Sequence, residues 1–201
     1  MIKIKFCGIS HVEDAIIASK YADFIGIITD PISPRFVKPE FIEIVKPLVN
    51  KPIVNVKVNG KIEDIVKEAS ADYVQIHRVL TPEELETTLS YGEKKFILYV
   101  PSSLKYEGYF ELIVKKTNHM ILIDSEKKGE KVNLEVAKKW VKEYEKVGIG
   151  GGITPENVEE FLNLDPYWLD ISSGIEKFKS KKDPAKMIKI AEKVKPWMFT
   201  Q

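Results

Sequence analysis

The chain has 201 residues, 44% of them hydrophobic, with 31 basic and 30 acidic side chains and a net charge of +1. That length suits one large domain with a sizeable core, and the balanced, interspersed charge gives no basis for nucleic acid or a charged membrane surface as a partner. A single cysteine, no apolar run near the ~20 residues of a spanning helix, and an N-terminus of alternating charged and apolar residues predict a soluble, cytoplasmic protein.

Short β-branched runs alternate with amphipathic helical patterns along the whole chain. The first run is Ile2–Phe6, followed by a helix over Val12–Tyr21. The second is Phe24–Ile28, with a helix over Pro39–Leu48; the third is Ile53–Val58, with a helix over Ile62–Ala69. The fourth is Tyr73–His77, and its helix opens with Thr81 as N-cap, Pro82 at the first helical position and Glu84 completing a capping box. The fifth run is Phe96–Val100, with a helical segment around Tyr109–Lys115. The sixth is Met120–Ile123, with a helix over Leu134–Tyr144. The seventh is Val147–Gly150, with a helix over Pro155–Leu162 capped by Thr154. The eighth is Trp168–Ile171, with a last helix over Pro184–Val194.

Eight such units predict the α/β class: a single (β/α)8 barrel domain over residues 1–201 with eight parallel strands. An open doubly wound sheet is the alternative. In a barrel the site lies at the C-terminal strand ends, so the residues that end each run are informative. The first run ends in Cys7 and Gly8. The loop after the second carries Ser33, Pro34 and Arg35. The fourth ends in Gln75 and His77, the sixth in Asp124, the seventh in Gly150, Gly151 and Gly152. The eighth carries Asp170, then Ser172, Ser173 and Gly174.

The glycines after the seventh run and the Ser-Gly after the eighth suit an anion, because glycine lets backbone N–H groups approach a ligand closely. These loops are the usual phosphate position in barrels, so Gly151, Gly152, Ser173 and Gly174 are candidate phosphate ligands; tight turns are the plainer reading. Cys7 is either a small buried apolar residue or a thiolate base. Asp124 ends the apolar run "MILID", where a carboxylate is costly unless it is solvated or at work; a cap or a salt bridge is the plainer reading. Arg35 is one of two arginines among many lysines, and its guanidinium suits a carboxylate. Gln75, His77 and Asp170 complete the rim as candidate substrate contacts. The three histidines lack metal-ligand spacing, so no metal is expected.

Together "KIKFCGIS", "SPRFV", "VQIH", "ILID", "GIGGGITPENV" and "LDISSGIEKFKSKKD" resemble the phosphoribosylanthranilate isomerases of tryptophan biosynthesis, in the family's order and at nearly its spacing. The resemblance implies a barrel without cofactor and an Amadori rearrangement of N-(5-phosphoribosyl)anthranilate. It implies Cys7 as general base, Asp124 as general acid, Arg35 as partner of the anthranilate carboxylate, and Gly151, Gly152, Ser173 and Gly174 as phosphate ligands. The partner is then a small phosphorylated substrate, and the chain a monomer or a homodimer. A thiolate is a reasonable base if the site lowers its pKa, and the acid role calls for a raised Asp124 pKa.

The chain departs from the family pattern in three places, one of them the short segment "PSSLKYEGYFELIVKKTN" after the fifth run. After Asp124 the family usually has Gly-Gly-x-Gly and Phe-Asp-Trp, whereas "DSEKKGEKVNLEVAKKW" has one glycine; a mobile, lysine-rich loop is expected over Glu126–Lys131. Arg78 stands where the family usually has glycine. Two other readings remain: a different phosphosugar barrel enzyme, or a barrel that binds a phosphorylated ligand without turnover.

Overall fold

The computed structural model describes residues 1–200. Eight parallel strands close into a barrel in chain order: β1 (Lys3–Phe6), β2 (Phe24–Ile28), β3 (Ile53–Lys57), β4 (Tyr73–Ile76), β5 (Lys95–Pro101), β6 (Met120–Asp124), β7 (Val147–Ile149) and β8 (Trp168–Ile171). The helices between and after them are α1 (Val12–Tyr21), α2 (Glu40–Val45), α3 (Ile62–Lys67), α4 (Pro82–Ser90), α5 (Glu107–Lys116), α6 (Leu134–Glu143), α7 (Val158–Leu162) and α8 (Pro184–Val194). No helix among the described residues is long and apolar enough to cross a membrane.

Strand alternation divides the apolar residues into two cores. Ile4, Phe6, Ile25, Ile27, Leu98, Ile121, Ile123 and Leu169 face outward and pack beneath the helices. Phe24, Val54, Val56, Ile97, Met120, Leu122 and Trp168 form a second cluster, with Cys7, that fills the barrel. Trp168 has room because Gly148 faces it; a Cβ on Gly148 would overlap the indole. The inward rows turn polar toward the C-terminal strand ends, as in Tyr73–Gln75–His77 and Met120–Leu122–Asp124. The packed lower barrel is therefore the floor of the site.

The barrel closes where β1 meets β8, with Lys3 opposite Trp168 and Lys5 opposite Asp170. The capping box at α4 forms as the sequence predicts, with Thr81 and Glu84 each bonding the other's backbone. The helix predicted from Pro155 starts instead at Val158, so Thr154 is not its N-cap. The Asn157 side chain takes its place: Oδ1 accepts from the Thr154 N–H at 2.7 Å and Nδ2 donates to the Gly152 carbonyl at 2.8 Å. The second helix is also shorter than predicted, ending as a 3-10 turn over Lys46–Leu48. An antiparallel hairpin absent from the sequence reading, β9 (Glu176–Phe178) and β10 (Lys181–Lys182), follows β8.

Candidate active site

One cavity of about 670 Å³ opens at the C-terminal strand ends. Its lining includes Cys7, Arg35, Gln75, His77, Asp124, Gly151, Gly152, Asp170 and Ser173. Of the residues predicted from sequence, Gly174 is the exception. It packs against the Ile153 carbonyl, which a Cβ would overlap, so it joins the loops after β7 and β8 and does not line the cavity wall.

Cys7 lies where β1 ends, at the bottom of this cavity. Gly26 on β2 makes room for it; a Cβ there would sit 2.7 Å from Sγ. Beneath the thiol is Lys5, two residues earlier and on the same inward face. Its ammonium is fully buried and donates to Gln75 Oε1 at 2.7 Å, Asp170 Oδ1 at 3.0 Å and Cys7 Sγ at 3.2 Å. Burial pulls the Lys5 pKa down, but attraction from Asp170 and Cys7 outweighs it and the ammonium is held above its ordinary value. Burial also dominates at Cys7, pushing the thiol above its ordinary value of 9.0 despite the opposing pull of Lys5. The site therefore does not lower the thiol pKa: the protein interior costs the thiolate more than one adjacent cation returns.

Asp124 ends β6 with its two oxygens in different settings. Oδ1 accepts from the Ser125 N–H at 2.6 Å and from Ser125 Oγ at 3.2 Å. Oδ2 lies 3.9 Å from His77 Nε2. Burial raises the Asp124 pKa, and the charge of Asp170 adds to the effect. Because Gln75 Oε1 accepts from Lys5, its Nε2 is the atom that donates to His77 Nδ1 at 3.2 Å. This leaves the Nε2–H of a neutral imidazole facing Asp124. Burial lowers the His77 pKa, which keeps the ring neutral, and Tyr99 supports it with ring centroids 4.3 Å apart. Gly151, at φ +94°, leaves space for this carboxyl; its Cβ would come 2.5 Å from Oδ1.

Arg35 reaches the cavity from the loop after β2. Its Nε and Nη2 donate to Glu176 Oε1 at 2.5 Å and Oε2 at 2.9 Å. Lys182 Nζ is 3.5 Å from the same Oε1 and donates to the Ser172 carbonyl at 2.9 Å. Its burial lowers its pKa to about 8. The hairpin thus supplies the carboxylate that aligns the guanidinium. Lys5, Glu176 and Lys182 went unnoticed in the sequence. The signal for Lys5 was its position two residues before Cys7 in an alternating strand; Glu176 and Lys182 carried none, because the hairpin was not foreseen. Among the described residues, no group of three or more His, Cys, Asp or Glu side chains is placed to hold a metal ion.

A family model described as N-(5'phosphoribosyl)anthranilate (PRA) isomerase matches residues 4–193. The chain belongs to this family. The N-(5'-phosphoribosyl)anthranilate isomerase of Sulfolobus acidocaldarius is 54% identical over 202 residues, covering 100% of this chain and 100% of that protein. The isomerase of Saccharolobus solfataricus is 48% identical over 198 residues, covering 97% of each. A solved phosphoribosyl anthranilate isomerase in complex with reduced 1-(o-carboxyphenylamino)-1-deoxyribulose 5-phosphate superposes with a TM-score of 0.83 at 26% identity, covering 98% of this chain and 100% of that one. The chain is an isomerase of tryptophan biosynthesis.

Proposed function

We propose that Asp124 and Cys7 carry the Amadori rearrangement as general acid and general base. The observation that supports this most is a carboxyl with a raised pKa and a thiol in contact with an ammonium, lining one cavity. With Oδ1 occupied by Ser125, the Asp124 proton belongs on Oδ2. It passes to the furanose ring oxygen, the C1–O bond breaks and the aniline nitrogen's lone pair forms the Schiff base. The Cys7 thiolate then takes the proton from C2, and the C–H electrons give an enolamine. That enolamine tautomerises to the aminoketose. The enzyme is left with a thiol and a carboxylate, and exchange of one proton with water resets both.

The remaining side chains hold the substrate. Arg35 faces its carboxylate with the donors that Glu176 leaves free. Gly151, Gly152 and Ser173 form the end of the cavity suited to the phosphate, with Gly174 fixing that loop. His77, Gln75 and Asp170 line the wall between. A thiol that must stay reduced fits a cytoplasmic enzyme.

The test is turnover of freshly generated phosphoribosylanthranilate, followed by loss of anthranilate fluorescence, for wild type, Cys7→Ala and Asp124→Asn. Each variant is expected to lose about 10²–10⁴-fold in kcat with little change in KM, the usual range for a general acid or base. Turnover by Cys7→Ala within about threefold of wild type would rule out the thiol as base.

A further inference from the structure

We propose that Lys5 is a positioning residue for the reaction: its buried ammonium holds Cys7 at the reacting face and stabilises its thiolate. The inference rests on the reading of Cys7 as the base. Lys5 sits at 0% exposure inside the barrel, where Val54, Ile97 and Leu122 are also buried. A buried cation is expensive there unless its N–H groups and its charge are partnered. The geometry says what the charge does. An ammonium has three N–H donors, and each of these has one acceptor: Gln75 Oε1, Asp170 Oδ1 and Cys7 Sγ. Two tie the side chain to β4 and β8. The third is directed at the sulfur.

The charges around the thiol support this division. From β8, Asp170 opposes a thiolate; from β10 and the loop after β2, Lys182 and Arg35 favour it. Those two cations share the Glu176 carboxylate, which cancels part of their field at the sulfur. Lys5 is the cation in direct contact with the thiol. When Cys7 gives up its proton to water, Lys5 gains a second anion at 3.2 Å beside Asp170. When Cys7 accepts the C2 proton, that attraction is given back. Lys5 itself keeps its proton throughout and, fully buried, does not line the cavity.

The chain has one cysteine, so alkylation by iodoacetamide reads Cys7 alone. The experiment measures the pH midpoint of that alkylation, together with kcat and KM, in wild type, Lys5→Met and Lys5→Gln. Both variants are neutral, and the second keeps a donor for Asp170 if the first does not fold. The expected result is a midpoint at least about one pH unit higher, with kcat at fixed pH about tenfold lower and KM within about twofold, since one unit is a tenfold change in thiolate. A merely structural lysine would change stability or KM and leave the midpoint in place. A midpoint within about 0.3 unit of wild type in either folded variant overturns the proposal. Full turnover by Cys7→Ala would overturn the base reading, and the role of Lys5 in the reaction with it, whatever the alkylation midpoints show.

Discussion

The Arg35 guanidinium and the Glu176 carboxylate meet edge to edge, with contacts of 2.5 and 2.9 Å, across 141 residues of sequence. Glu176 uses the Nε and Nη2 side of the fork and leaves the Nη1 donors for the carboxylate that we propose Arg35 binds. Glu176→Ala is therefore expected to raise KM for the aminoaldose several-fold, by loosening Arg35, with kcat within about twofold. Arg35→Lys is expected to raise KM more than about tenfold, because lysine cannot serve both carboxylates at once. An unchanged KM in both variants would remove Arg35 from substrate binding. The contact also has a pH signature. Burial would raise the Glu176 pKa, but Arg35 and Lys182 overcome it and hold the carboxyl below its ordinary 4.5. Its stabilising effect is thus present above that pH and lost as the pH falls through the lowered value.

The pH profile should show the acid and base with inverted protonation order. Burial raises Asp124 from 3.8 and Cys7 from 9.0, and we expect the carboxyl, which starts far lower, to titrate first as the pH increases. The active form, with a protonated acid and a thiolate, is then a minority whose fraction is constant between the two apparent pKa values. We expect a flat-topped profile for kcat, falling at low pH with the Asp124 titration and at high pH with that of Cys7. The midpoint of Cys7 alkylation should coincide with the alkaline limb. A midpoint on the acid limb would show the ordinary order.

Gly26 is required by what it faces. A Cβ there would lie 2.7 Å from Cys7 Sγ, 2.9 Å from Lys5 Cε and 3.0 Å from the Cys7 backbone. Gly26→Ala is expected to cost about 1–3 kcal/mol by overpacking and to reduce kcat by displacing the thiol. Gly108→Ala is the control: it lies in α5 with nothing within 4 Å of its Cβ position, and is expected to gain about 0.5–1 kcal/mol. Thermal unfolding of both variants, with turnover measured in parallel, checks the contrast.

Arg78 explains its own departure from the family pattern. It donates to the Val58 and Gly60 carbonyls and pairs with Glu84, at 2.8 Å for Gly60 and 2.7 Å for Glu84. It therefore ties the loop after β3 to the start of α4. Arg78→Ala is expected to cost about 1–2 kcal/mol in urea unfolding, with turnover within about twofold. A loss of turnover at unchanged stability would place Arg78 in the site.

The barrel was legible because its signal is periodic. Eight alternating runs each bury one row against the helices and one row inside, and strand ends then converge on one rim. Cys7, Asp124 and Arg35 were legible because each is an unusual residue in its local setting. What the sequence hid was pairing at a distance. The opposition of Lys5 to Asp170 depends on the register of the closing strands. The contact of Arg35 with Glu176 depends on a hairpin whose strands, at three and two residues, are too short to show alternation. The start of α7 was misplaced because Asn157, three residues beyond Thr154, bonds the Thr154 N–H and replaces the first helical turn.

The seam between β1 and β8 joins the first and last strands of the barrel. Lys5 is made 165 residues before Asp170, the carboxylate it pairs with. A nascent chain halted before β8 carries the reactive sulfur without the carboxylate that steadies its cation, and without the clasp on Arg35. The site is thereby incomplete until β8 and the hairpin after it have been made, and a truncation that removes them removes chemistry as well as packing.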